Sequence, residues 1–395
     1  MQGIVNQSFT ISNMSDLPTP PAEALAHSER LTALIRGEIA ANAGWMPFSR
    51  YMQLALYAPE LGYYTAGARK LGREGDFVTA PELTPLFGQT LARQAAEVLE
   101  SGFDQILEIG AGSGALAASL LAELERMDRL PRRYYILEVS PDLRERERDL
   151  LAATVPHLLE RVIWLNQLPT VYPGLIIANE VLDAMPAHLV RTGASALEEA
   201  GVALQGEAFA WDWRPAGAEL LAAAAALQLP EAYQTEIQLV ARGFVRTLAQ
   251  AMARGVILLI DYGFPAHEYY HGQRSEGTLM CHYRHRAHAD PFFLPGLQDV
   301  TSHIDFSAVA HAGEEAGLEL LGYTGQAQFL INCGITDILL RTSPEDAAAY
   351  APQASAAQQL LSPSEMGELF KVIAFGKEYA APLMGFASGD RRHSL

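Results

Sequence analysis

Residues 106–120 read ILEIGAGSGALAASL: a short apolar run, then Gly110, Gly112 and Gly114 at alternate positions, then apolar residues at helical spacing. No other stretch constrains the fold as much. Glycine lets the backbone turn sharply and approach a ligand closely, and the helix that follows leaves free N–H groups at its start. A strand delivered into a helix by such a turn suits a parallel sheet, and the rest of the sequence agrees. Apolar runs at 134–138 (YYILE), 161–165 (RVIWL), 175–179 (LIIAN) and 255–261 (GVILLID) alternate with helical patterns, and 317–323 (GLELLGY) and 369–377 (LFKVIAFGK) can supply two more strands. Buried strands spaced by helices predict an α/β fold of the doubly wound, Rossmann-like type.

The alternation occupies 101–185 and 250–395, the expected core. Residues 1–21, with Pro18, Pro20 and Pro21, read as a flexible tail. Residues 22–100 read as an N-terminal helical cap and lid: a helix over 22–43, a second over 49–57, and a Gly- and Tyr-rich stretch over 59–82 whose segment 62–76 would close over a pocket. Thr79-Ala80-Pro81-Glu82 is a capping box with proline in the first turn, predicting one continuous helix from there to Glu100. Residues 186–249 break the alternation with a hairpin pattern (HLVRT, GVALQG, EAFAWDW) and an alanine-rich helix, and read as an inserted α+β segment.

With 28 Lys+Arg against 46 Asp+Glu the formal charge is −18. Such a chain lacks the positive field that phosphate backbones attract, so no nucleic-acid partner is expected. No apolar run near the N-terminus is long enough for a signal peptide or a spanning helix, and no membrane partner is expected. Cys281 and Cys333 are far apart and give no disulfide framework. Acids at 16, 23 and 29 precede the first arginine, Arg30, and the compartment expected is the cytoplasm.

The glycine loop does not by itself choose a ligand, because Gly110, Gly112 and Ala115 also satisfy the dinucleotide pattern G-x-G-x-x-G/A. Glu108 separates the readings. A carboxylate two residues before the first glycine repels a pyrophosphate, yet suits a phosphate-free ligand with a cationic amino-acid end, such as S-adenosylmethionine. Glu138 ends the next strand 24 residues after Gly114, where a carboxylate can accept two hydrogen bonds from a ribose diol; a nicotinamide cofactor wants the same acid. Asn166 follows the RVIWL strand, a position from which an amide could meet an adenine edge. The structural alternative is a tight turn that holds no ligand.

Ligands of open parallel sheets sit beyond the carboxyl ends of the strands, which makes Asn179, Glu180 and Asp183 the candidate catalytic residues. Glu180 and Asp183 are three apart, so a helical turn would put both carboxylates on one face, where they could hold a planar guanidinium or an amine. In the bland reading Asp183 caps a helix and Glu180 is solvated. Cys281, His282, His285 and His288 lie within eight positions, but no helical pattern holds them on one face; they read as a loop, and no metal is expected. That loop, with Asp299, His303 and Asp305 downstream, would shape an acceptor channel, although capping, turn and surface roles are equally open to each of the three. Tyr64, Asp76 and Phe77 are placed in the same channel, the tyrosines of the lid giving it a flat aromatic wall.

EIGAGSG, the acid Glu138 and NEVLDAMPAHLV (179–190) together resemble the class I S-adenosylmethionine-dependent methyltransferases. The further segments YAPELGYY (57–64), GDFVTAPELTPLFG (75–88), LLIDYGF (258–264), PGLQDVTSHIDF (295–306) and GQAQFLINCGI (325–335), in that order, resemble the MidA family over residues 47–376. The resemblance implies a seven-stranded class I methyltransferase sheet with a helical N-terminal cap, S-adenosyl-L-methionine as cofactor, and methyl transfer to an arginine of a protein substrate. Mitochondrial members of the family methylate an arginine of a complex I subunit during assembly, so a complex I-type subunit is the implied partner, with a homodimer left open. Glu108, Gly110, Ala111, Gly112, Gly114 and Glu138 match the donor-binding set, Thr79 and Pro81 match a segment packing near it, and Asn179, Glu180 and Asp183 match the acidic turn. In mitochondrial relatives the first residue of that turn is commonly His. A small-molecule methyltransferase and a catalytically silent cofactor-binding assembly factor are the alternatives, with a dehydrogenase more distant.

Overall fold

The computed structural model describes residues 17–66, 79–193 and 196–395. Its central sheet contains β1 (Gln105–Ile109), β2 (Arg133–Leu137), β3 (Val162–Leu165), β4 (Tyr172–Asn179), β5 (Met252–Phe264), β6 (Glu319–Gly325) and β7 (Phe370–Lys377). Across the sheet the order is β3-β2-β1-β4-β5-β7-β6. Strands β1 to β5 are mutually parallel, and β7 runs antiparallel to both of its neighbours. A two-residue strand, Ile304–Asp305, adds a short parallel pairing at the end of β5. Each apolar run read as a strand is one.

The central strands show why the runs are continuous rather than alternating. Leu175, Ile176 and Ile177 of β4 are all fully buried, because both faces of the sheet are covered. Leu175 and Ile177 join the core formed with helices Pro85–Glu100 and Ala115–Arg126. Ile176 faces the opposite layer, formed with helices Leu239–Ala251 and Phe306–Glu315. Burial of one such side chain contributes about 1.5–3 kcal/mol, so this strand is firmly fixed.

Four local expectations need correction. The helix from Thr79 to Glu100 is two helices, Ala80–Leu83 and Pro85–Glu100. Pro85 forces the residue before it out of the helical region, and Thr84 is extended at φ −162°, capping the second helix through the Leu86 N–H. The first helix stops at Ala41 rather than Ala43, where Ala43 and Gly44 both take positive φ. Helix Leu239–Ala251, placed by the sequence in the insertion, packs on the core sheet through Ala241, Val245, Leu248 and Ala249. Residues 281–288, read as a loop, lie in a hairpin of strands Met280–Tyr283 and Arg286–His288 in which Cys281 faces His288. Its two turn residues, Arg284 and His285, have φ of 47° and 60°, the conformation of a type I′ turn, and without the usual Asn or Gly the sequence hid it.

The insertion is an antiparallel sheet of His188–Thr192, Leu197–Gln205, Ala208–Pro215 and Gln234–Ile237. The cap is tied to it. Met46–Pro47 pairs with Gly201 and Val202, and the Trp45 ring lies so close to Gly201 that an added Cβ would sit 2.1 Å from it. The cap thereby stands over the carboxyl ends of β1 and β4, on either side of the point where the strand order reverses.

Candidate active site

At that reversal point lies a cavity of about 320 Å³. This is the crevice in which open α/β sheets bind their ligands. Gly110, Gly112 and Gly114 all have positive φ, at 70°, 61° and 84°. The first turns the chain off β1, with its N–H donated to the Leu137 carbonyl at 3.0 Å, and the third begins helix Ala115–Arg126. Gly110, Ala111 and Gly112 line the cavity; Gly114 does not, its role being the helix start.

The acids define the cavity's chemistry. Glu82, Glu108, Glu138, Glu180 and Asp183 line it, and no Lys, Arg or His does among the described residues. Glu108 is 2% exposed and accepts the Tyr134 hydroxyl at 2.6 Å. Burial raises its carboxyl to about 7, against the opposing hydrogen bond, with Glu138 pushing the same way. Glu138 accepts the Ser140 N–H at 2.7 Å and is likewise raised by burial. A pyrophosphate placed here would face five acids and no cation among the described lining residues, whereas an ammonium, a sulfonium and a ribose diol would each find an acceptor.

Asn179, Glu180 and Asp183 converge on the same cavity, but on an irregular turn rather than a helix. Glu180 has a φ of 54°, a strained conformation for a residue with a side chain and one that clusters at functional sites. Its N–H is donated to the Ile260 carbonyl at 2.9 Å, and its Oε1 accepts from the Asn179 amide at 3.1 Å and the Ala80 N–H at 3.4 Å. Burial, then the nearby Asp183, raise Glu180 to about 8; burial raises Asp183 to about 6. The Asn179 Oδ1 and Asp183 Oδ1 atoms are buried and have no hydrogen-bond partner. A buried acceptor left unsatisfied is costly, so both oxygens call for donors from a ligand.

Thr79, Pro81 and Tyr64 line the cavity. Tyr64 stacks on Tyr57 at 5.5 Å and donates to Asp299, whose oxygens both lie 3.0 Å away. Asp299 thus orients the aromatic wall without lining the cavity. Asp76 and Phe77 lie outside the described residues, as does most of the expected lid. Three assignments are corrected. Asn166 is exposed, with its oxygen 2.7 Å from the Arg144 guanidinium, and it does not reach the cavity. Asp305 is a helix N-cap that accepts the Ala308 N–H at 3.0 Å and the Tyr270 hydroxyl at 2.9 Å. His303 packs edge-on against Tyr262 at 5.2 Å, behind the cavity wall, and burial depresses it to about 3, so it is neutral. Among the described residues no group of three or more His, Cys, Asp or Glu side chains is arranged to hold a metal.

Sequence reasoning missed Tyr134, Asp261, Tyr262 and Phe244. Tyr134 meets Glu108 only through the parallel register of β1 and β2. Asp261 and Tyr262 stand at the end of β5, where the rule used for β4 would have found them. Phe244 lines the cavity from helix Leu239–Ala251, which the sequence pattern groups with the insertion.

A 3-2-1-4-5-7-6 sheet with β7 reversed, a glycine turn after β1 and an acid-lined crevice define a class I S-adenosylmethionine-dependent methyltransferase. The family model described as "Putative S-adenosyl-L-methionine-dependent methyltransferase" matches residues 90–324, and the chain belongs to that family, the MidA family of class I methyltransferases. A crystal structure from Burkholderia thailandensis bound to S-adenosyl-homocysteine is similar at a TM-score of 0.94 and 52% identity, covering 96% of this chain and 100% of that one. The mitochondrial Protein arginine methyltransferase NDUFAF7 homolog of Drosophila melanogaster is 27% identical, with 93% of this chain and 91% of that protein covered. The mitochondrial Protein arginine methyltransferase NDUFAF7 of Mus musculus is 29% identical, with 88% and 85% covered.

Proposed function

We propose that this methyltransferase methylates a guanidino nitrogen of an arginine in a protein substrate. One observation carries the reading: two buried acceptor oxygens without partners, on Asn179 and Asp183, flank Glu180 in a cavity with no basic side chain among the described residues. A guanidinium presents five N–H donors in a plane and a positive charge, which is the complement of that surface. The names of the curated relatives support it. A complex I-type subunit is the acceptor suggested by the family resemblance.

The donor's own requirements fit the other half of the cavity. Glu108 would hold its ammonium, the turn at Gly110–Gly112 would pass beneath its amino-acid portion, Glu138 would accept from its ribose, and Val139 and Leu143 would cover its base. When bound, S-adenosylmethionine supplies a methyl group on a positively charged sulfur. The protein contributes alignment and charge. Glu180 and Asp183 localise the acceptor's positive charge on one side so that a nitrogen on the other retains electron density, and Tyr57 and Tyr64 wall the cavity with flat apolar faces. The arriving cation also returns both acids toward their ionised forms, offsetting the burial that raised them.

The test is transfer of radiolabelled methyl from S-adenosylmethionine into a lysate of cells lacking this gene, followed by mass spectrometric mapping. Label on arginine of a discrete protein is expected; label only on small molecules, or only on other residues, overturns the assignment. We place the protein in the cytoplasm: its buried free thiols, Cys281 and Cys333, are compatible with a reducing compartment, whereas the curated relatives named above are mitochondrial by name.

A further inference from the structure

Asp183 is held from below by residues that never reach the cavity. The Tyr262 hydroxyl donates to its Oδ2 at 2.6 Å. Asp261, fully buried, accepts the backbone N–H groups of Leu182 at 2.9 Å and Asp183 at 3.2 Å on one oxygen and that of Tyr262 at 2.9 Å on the other. The Ser302 N–H donates to the Asp183 carbonyl at 3.1 Å, and Phe370 and His303 fix the Tyr262 ring on two edges. One oxygen of Asp183 is therefore occupied, while the other, Oδ1, is buried without a partner on a residue that lines the cavity.

We propose that Tyr262 and Asp261 are positioning residues that make Oδ1 of Asp183 the proton acceptor for the nitrogen being methylated. This rests on the arginine reading above. In the step, the C–S bond breaks with its electron pair going to sulfur and a C–N bond forms. The N–H proton passes to Oδ1, leaving a neutral carboxylic acid and a methylated guanidinium with one positive charge. Tyr262 matters because its hydroxyl fills Oδ2, so the proton has one oxygen to go to. Asp261 matters because three backbone donors converge on it, fixing the turn on which Asp183 and the strained Glu180 stand. The ionisable groups facing Asp183 are Glu180 on its own turn, Asp261 and Tyr262 on β5, Tyr57 and Tyr64 from the cap, and, beyond these, Asp299. None is a cation, so the Tyr262 hydroxyl, ahead of the backbone N–H groups of Ala184 and of Asp183 itself, is the main group that favours the ionised, proton-accepting form.

Tyr262→Phe in the full-length protein tests this, with initial rates of radiolabelled methyl transfer into the knockout lysate measured from about pH 6 to 9. Loss of the donor should lower the rate at neutral pH about tenfold. The acidic limb should move up by about one pH unit, since the ionised carboxylate loses a charge-assisted bond. Calorimetric affinity for S-adenosylhomocysteine should stay within about twofold of wild type, because that ligand carries no methyl-accepting nitrogen for Asp183 to take a proton from. In an Asp183→Asn background the same substitution should cost nothing further, as expected of a residue acting through Asp183. Asp261→Asn provides an independent variant, expected to reduce the rate about as much while lowering the melting temperature. An unchanged rate and pH profile in Tyr262→Phe, or losses that simply add in the double variant, overturn the proposal. Label on a nitrogen other than arginine's overturns the arginine reading alone, since the pH profile reports on Asp183 whichever nitrogen receives the methyl group.

Discussion

Glu108 offers the sharpest test of the donor site, because a single group there sets a pH dependence of known sign. Burial holds its carboxyl at about 7. If only the ionised form pairs with the ligand's ammonium, the competent fraction is about 9% at pH 6 and about 91% at pH 8. The dissociation constant of S-adenosylhomocysteine should then fall about tenfold over that interval, or about 1.4 kcal/mol. Glu138, also raised by burial, would add to the slope in the same direction. Titration calorimetry at several pH values reads this directly. Glu108→Gln keeps the shape and can still accept from Tyr134, but it removes the charge; its affinity at pH 8 should drop by about 1.5–3 kcal/mol, the worth of a hydrogen bond to a charged group. The loss should shrink toward pH 6, where wild-type Glu108 is mostly neutral. A wild-type affinity that does not vary with pH, or a Gln variant that keeps the full slope, would refute the assignment of Glu108 to the ammonium.

Three further outcomes are expected. Glu180→Gln should bind S-adenosylhomocysteine as wild type does yet lose about a hundredfold or more in methyl transfer, measured by label incorporation; unchanged turnover would remove Glu180 from the chemistry. Glu147 sits buried beneath the glycine turn, its carboxyl raised to about 9 by burial, so the folded state holds a proton that the unfolded chain releases above about pH 4.5. Stability contributed there declines as pH climbs from about 4.5 toward 9; Glu147→Gln, which still accepts from Trp164, should be more stable than wild type at pH 8 by about 1–3 kcal/mol, with a flatter pH dependence in urea unfolding. Gly114→Ala forces a side chain into φ 84° and puts its Cβ 3.1 Å from the Glu147 Cα. It should destabilise the protein by about 1–2 kcal/mol and weaken donor binding in calorimetry.

Much of the architecture was legible because parallel strands covered on both faces must be continuous apolar runs, and the glycine turn announces itself by composition. Glu108, Glu138, Glu180 and Asp183 could be placed from strand ends alone, since a doubly wound sheet sends its strand ends toward one crevice. Features set by short-range backbone chemistry but disguised in composition were misread: the break at Pro85 and the glycine-free hairpin turn at Arg284 and His285. Asn166 went astray for another reason. It follows the edge strand β3, and its partner Arg144 comes from the helix after β2, a pairing fixed only when both pack together.

The sequence by itself determined the sheet, the glycine turn at the crevice and the acidic character of the pocket, because periodicity, glycine content and charge are local properties of a chain. Only the tertiary structure decided which oxygen of Asp183 is free, that Tyr134 braces Glu108, and that the Tyr270 hydroxyl occupies Asp305. Those facts depend on side chains separated by 26 to 79 residues meeting at hydrogen-bond distance, and such meetings follow from strand register and packing, which no local pattern encodes.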